Sequence, residues 1–145
     1  MELNKYQNCL IYKISCLDEN VKEIYIGHTT IKLKIRQRVH RSYCKYNTSK
    51  LYSYIRANGG FENFKFEIIE HYPCNSLYEA KEREKNLIFL MKSSLNSNVP
   101  NQTHQEYRER HKEEYNEYMK KYMAKYNHKK RIMSLLKYIV DRVFK

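Results

Sequence analysis

At 145 residues, with 28 Lys and Arg against 16 Asp and Glu and a formal charge of +12, the chain has room for one compact core and an appendage, and its field attracts polyanions. No run of about 18 apolar residues is present, and the start Met1-Glu2-Leu3-Asn4-Lys5 lacks a basic-then-apolar leader. A soluble, intracellular protein is expected, with nucleic acid rather than a membrane as its partner. Cys9, Cys16, Cys44 and Cys74 have no paired C-x-x-C spacing, so neither a zinc knuckle nor a disulfide framework is supported.

In chain order, Cys9 to Ser15 and Glu23 to Gly27 are short runs rich in Ile and Tyr, separated by the polar Asp18-Glu19-Asn20 stretch. They read as an antiparallel hairpin. Between Ile31 and Asn58 lie two helical patterns broken near Asn47-Thr48. The second stops at Asn58-Gly59-Gly60, where glycine takes a left-handed cap. Phe64-Lys65-Phe66-Glu67-Ile68-Ile69 alternates as a third strand, and Ser76-Leu77-Tyr78-Glu79 reads as a capping box opening another helix. The fold class is therefore α/β of the α+β kind: a small three-stranded antiparallel sheet flanked by helices, with a helical C-terminal extension. The domain division expected is 1–100 and 101–145.

Placed at 100° intervals, the helix from Ile31 to Tyr46 sorts into three faces. Ile35, Val39, Tyr43 and Tyr46 make an apolar stripe, Arg36 and His40 fall together beside it, and Lys34, Arg38, Arg41 and Lys45 fall on the far side. No acidic residue occurs between Glu23 and Glu62, so the basic face suits DNA phosphates, or is simply a solvated helix face. In the helix from Leu77 to Met91, the residues Leu77, Ala80, Leu87, Ile88 and Met91 line one stripe, and Glu84 projects from its middle. A carboxylate on a buried face is costly unless it meets a cation, a metal or hydrogen-bond donors. Glu84 is thus the acidic residue most expected to have a task, or to form an internal ion pair, for instance with Arg36.

After Pro100, Thr103-His104-Gln105-Glu106 is a second capping box, and glycine and proline are absent from there to the end. A long helix is expected. Tyr107, Tyr115, Tyr118, Tyr122 and Tyr126 share one stripe, followed after a break at Asn127-His128 by the apolar face Ile132, Leu135, Leu136, Ile139 and Val143. That face is a candidate for self-association, for folding back on the core, or for clamping DNA.

The pair Leu10-Ile11-Tyr12 and Tyr25-Ile26-Gly27, with Arg36 and His40 following, resembles the GIY-YIG nuclease domain over roughly residues 9 to 100. Leu10 stands where that family has its first glycine. The resemblance implies an endonuclease that hydrolyses DNA phosphodiester bonds with the aid of magnesium or manganese. Its implied catalytic residues are Tyr12, Tyr25, Arg36, His40, Glu84 and Asn96. Glu84 is the implied metal ligand, with Glu82 as the fallback. Tyr12 or Tyr25 would take the proton from water, the cationic surroundings favouring the phenolate. Asn96, ahead of Asn98, would bind the site together. His28 reads as a loop cap or a phosphate contact. Similar tails rich in Tyr, Glu and Lys imply a viral or mobile-element source. The competing reading is a non-catalytic, basic nucleic-acid-binding protein that uses its tail for partner or self association.

Overall fold

The computed structural model describes residues 4–143, which fall into two compact units meeting between Gln102 and Thr103. In the first unit, β1 (Leu10–Cys16) and β2 (Ile24–Thr29) form the hairpin, α1 (Leu33–Cys44) and α2 (Lys50–Ala57) follow, and β3 (Phe64–His71) leads to α3 (Leu77–Leu90). The sheet order is β2-β1-β3, with both pairings antiparallel. β1, in the middle, is buried on both faces and carries an almost unbroken apolar run. Its one charged residue, Lys13, pairs with Glu67 directly opposite on β3, at 3.2 Å.

The alternation of β1 and β2 separates two layers. Leu10, Tyr12 and Ile14 pack with Cys44 of α1 and with Leu51, Tyr52 and Ile55 of α2. Ile11 and Ile26 pack on the other side with Leu87 and Ile88 of α3. The expected glycine cap of α2 is present: Gly59 and Gly60 have φ of 86° and 87°, and the Gly60 N–H donates to Ile55 O at 2.9 Å. At the start of α3, Ser76 Oγ accepts from the Glu79 N–H as expected, but the Glu79 carboxylate returns to the Asn75 N–H, one residue earlier than in a standard capping box.

Two expectations about helix faces need correction. In α1 the buried residues are His40 and Cys44, whereas Ile35, Tyr43 and Tyr46 are exposed. The helix is turned because His40 has two buried hydroxyl partners and so can enter the core that the apolar stripe was expected to fill. In α3, Leu77 lies exposed at the first turn, while Ala80, Glu84, Leu87 and Ile88 are buried as the stripe requires.

The second unit holds α4 (His104–Arg110) and α5 (Lys112–Val143). The Thr103–Glu106 capping box forms in full. The expected break at Asn127-His128 does not occur. The helix interruption falls at His111 instead, whose Nδ1 meets Tyr107 O at 2.8 Å. Neither Asn nor His is a helix breaker in the manner of Gly or Pro, so the pair runs through without interruption. α5 buries none of its residues. No helix among the described residues is long and apolar enough to cross a membrane.

Candidate active site

The site grows from the hairpin register. Tyr12 stands opposite Gly27, and Ile14 opposite Tyr25, so Tyr12, Tyr25 and Gly27 share one face. The Tyr12 ring crosses Gly27 so closely that a Cβ there would lie 2.8 Å from Tyr12 Oη and 3.0 Å from Tyr25 Cε1. Glycine at 27 is therefore a requirement of ring packing, since any side chain would displace both tyrosines. The two tyrosine rings lie 6.4 Å apart, centroid to centroid.

One turn apart on α1, Arg36 and His40 both reach Tyr12. Arg36 Nε donates to Tyr12 Oη at 3.0 Å, and Tyr12 Oη lies 2.8 Å from His40 Nε2. The other imidazole nitrogen, Nδ1, lies 2.9 Å from Tyr52 Oη on α2. Because Tyr12 Oη already accepts from Arg36, its own proton has His40 Nε2 as its acceptor. In that arrangement the imidazole carries its proton on Nδ1 and donates it to Tyr52. The result is a closed chain, Arg36 to Tyr12 to His40 to Tyr52, with Tyr12 at 0 % and His40 at 2 % exposure.

Burial sets the protonation of this chain. It holds His40 down to about 4, with the Arg36 charge adding to the effect, so the imidazole is neutral in ordinary conditions. Burial also raises Tyr12 and Tyr25, and pushes Tyr52 up to about 12. Arg36 pulls against each of these shifts without overcoming them. The expectation that cationic surroundings favour a phenolate is thereby corrected, because desolvation outweighs the guanidinium. Arg36 itself, though burial opposes its charge, is held above its ordinary value by the tyrosine oxygens around it.

On the other face of β2 stands the acidic half. Glu84 is 8 % exposed, and its Oε2 meets Nδ1 of His28, not Arg36. His28 follows Gly27 and shares the face of Ile24 and Ile26, which is the side covered by α3. The negative charge of Glu84 acts on Tyr12 and Tyr25, raising both further. The two halves meet at a cavity of about 300 Å³ whose lining includes His28, Thr29, Thr30 and Arg36. Glu82 is held by Lys85 at 3.1 Å, and Arg83 forms a two-bond pair with Glu70.

Asn96 closes the outer edge of β2. Its Oδ1 accepts from the Ile26 N–H at 2.9 Å, its Nδ2 donates to Ile26 O at 2.7 Å, and Ser93 Oγ, whose single proton also has Ile24 O in reach, lies 2.5 Å from Oδ1. Asn98 is exposed. Lys34 and Arg38 stand exposed on α1 and Lys45 exposed just after it, and Arg41 is tied to Glu62 at 2.5 Å and lies over the Phe61 ring. Tyr52 has no place in the sequence-based site, and His28, expected as a loop cap or a phosphate contact, is the partner of Glu84. Tyr52 could have been found as a tyrosine on the buried face of α2, since a buried hydroxyl needs a partner. The two-residue alternation of β2 would have turned His28 toward Glu84.

No cluster of three or more His, Cys, Asp or Glu exists among the described residues. The donors at hand are one buried carboxylate and the imidazole facing it. That set fits magnesium or manganese, which bind through one or two carboxylates and keep water and phosphate oxygens for the remaining positions.

A small three-stranded sheet thus carries two tyrosines and an arginine on one face and a buried glutamate against the other, with Arg36 and His28 lining the cavity between them. The profile of the GIY-YIG catalytic domain matches residues 8–97, and the chain belongs to that family, which indicates nuclease activity. Nucleases of this family act on DNA. No curated protein and no solved structure matches the chain.

Proposed function

We propose that this protein is a divalent-metal-dependent endonuclease that hydrolyses DNA phosphodiester bonds. The observation that carries the reading is the shared cavity, where Arg36 and His28 line one space with buried Glu84 behind His28. A phosphodiester needs positive charge around the scissile phosphate, an activated water and a stabilised leaving oxygen. Arg36 is charged at any working pH, and with its Nε on Tyr12 it has its two terminal nitrogens to grip phosphate oxygens. Glu84 would hold the metal ion, whose chemistry when bound is to polarise the phosphate and neutralise charge on the departing 3′ oxygen. Tyr25, the less buried of the two tyrosines, would orient the attacking water through its neutral hydroxyl. Tyr12 holds Arg36 in place and is itself held by His40, whose low proton affinity keeps Nε2 a neutral hydrogen-bond acceptor.

The tail extends the DNA contact. From Lys120 to Arg131 it carries six Lys and Arg and no Asp or Glu, a field suited to a phosphate backbone. The exposure of Ile132, Leu135, Leu136, Ile139 and Val143 favours self-association through the end of α5 as a second role of the same helix. Supercoiled plasmid incubated with the protein in magnesium or manganese tests the main reading. Nicked or linear product from the natural protein, absent with Glu84→Gln and with chelator, is the expected result. Cleavage that survives both would overturn it, and a plasmid bound but never cut, on structured substrates as well, would leave a DNA-binding protein.

A further inference from the structure

We infer that His28 and Glu84 act together as a two-donor cation site in which the imidazole is a direct ligand and tilts the site toward manganese over magnesium. The inference rests on the proposed metal role of Glu84 and adds the residue that makes this chain's site selective. Three observations carry it. His28 Nδ1 and Glu84 Oε2 meet in direct contact, from β2 on one side and α3 on the other, so a cation at that point would take the place of the proton they share. Glu84 is buried, so its carboxylate is directed at that point and not spread into solvent. His28 also lines the cavity that contains Arg36, so a cation held by the pair borders the place where a phosphate gripped by Arg36 would lie.

The chemistry of the pair is mixed. A carboxylate oxygen suits magnesium and manganese equally well, but magnesium takes oxygen ligands almost to the exclusion of nitrogen, whereas affinity for imidazole begins at manganese and rises through the later divalent ions. Two protein donors, with no third His, Cys, Asp or Glu grouped beside them among the described residues, leave the other positions to water and phosphate oxygens. A site of one carboxylate alone would barely distinguish the two ions. One carboxylate with one imidazole does.

The test is direct binding rather than cleavage. The full chain is titrated with manganese alone and followed by electron paramagnetic resonance, with magnesium as competitor. Pulsed measurement then reads the echo modulation that a directly bound nitrogen produces. The natural protein is expected to bind manganese with nitrogen modulation. His28→Ala should lose the modulation and roughly tenfold in manganese affinity, while its affinity for magnesium changes little. His28→Asn, which keeps a polar group beside Glu84 without an imidazole, should give the same loss and serves if the alanine variant does not fold. Manganese bound in a Glu84-dependent way without nitrogen modulation overturns the inference and leaves the role of Glu84 intact. Manganese binding unchanged in Glu84→Gln overturns the reading beneath it as well.

Discussion

The two faces of the β1–β2 hairpin solve different problems with neighbouring residues. On the face of Tyr12 and Tyr25, each buried polar group of the Arg36–Tyr12–His40–Tyr52 chain has a partner, and the chain holds one net charge, that of Arg36. On the face of Ile26 and His28, a carboxylate is buried among apolar residues with an imidazole as its counterpart. The first face is complete as it stands, and the second is built around a pair that a cation would complete. A chain of neutral bonds positions groups, whereas a buried carboxylate costs stability unless it recruits charge. The division of labour across one strand follows from the two-residue alternation, in which Tyr25 and His28 must point to opposite sides.

The division can be broken from either side. Glu84→Gln, which removes the charge and keeps the shape, is expected to lower single-turnover cleavage by about 1,000-fold or more, because the leaving oxygen loses its stabilisation. Arg36→Ala should cost about 100-fold, and Arg36→Lys should recover little of it, since an ammonium cannot hold Tyr12 and a phosphate together. His40 supplies a test without substrate. Its folded-state value of about 4 lies below its ordinary 6.5, so between those values the unfolded chain binds a proton that the folded chain refuses. Stability is then fully present above about pH 6.5 and falls as pH drops toward 4, by up to about 3 kcal/mol. Chemical denaturation at a series of pH values should show this slope, and His40→Gln should flatten it. Tyr52→Phe removes the hydroxyl that faces His40 Nδ1. It should slow cleavage about tenfold and change the His40 nitrogen shifts in NMR, with metal binding unaltered. Smallest is the tail: Lys120, Lys121 and Lys125 changed together to Gln should reduce the slope of log affinity for DNA against log salt by about 3.

Much of this arrangement was legible in the chain. Short apolar runs with alternation fix the strands, and the i, i+4 spacing of Arg36 and His40 places them together. Glu84 stands out as a charge inside an apolar stripe, and Asn96 was implied by the family resemblance alone. The misses share a cause. The expected face of α1 followed hydrophobicity, but a histidine bonded to two buried hydroxyls can serve as core, and those hydroxyls come from positions 12 and 52, far along the chain. The contribution of His28 likewise depends on a residue 56 positions away. At Asn127-His128 the sequence suggested a stop because these residues occur in turns. With no glycine or proline nearby, the surrounding helix formers prevail.

The Asn96 clamp has a consequence for how copies of this protein meet. An outer strand of a sheet presents its free amides and carbonyls as a template for any other extended chain, the usual first step of edge-to-edge aggregation. On β2 those groups are occupied: Ile26 offers both of its own to Asn96, and Ile24 O takes the Leu95 N–H at 3.1 Å and Ser93 Oγ at 2.8 Å. Residues 93–96 thus act as a cover strip made largely of side chains. The strand that carries Tyr25 and His28 is sealed against strand addition along its middle, so crowding many copies on one polyanion does not expose a β template at the place where the chemistry is held.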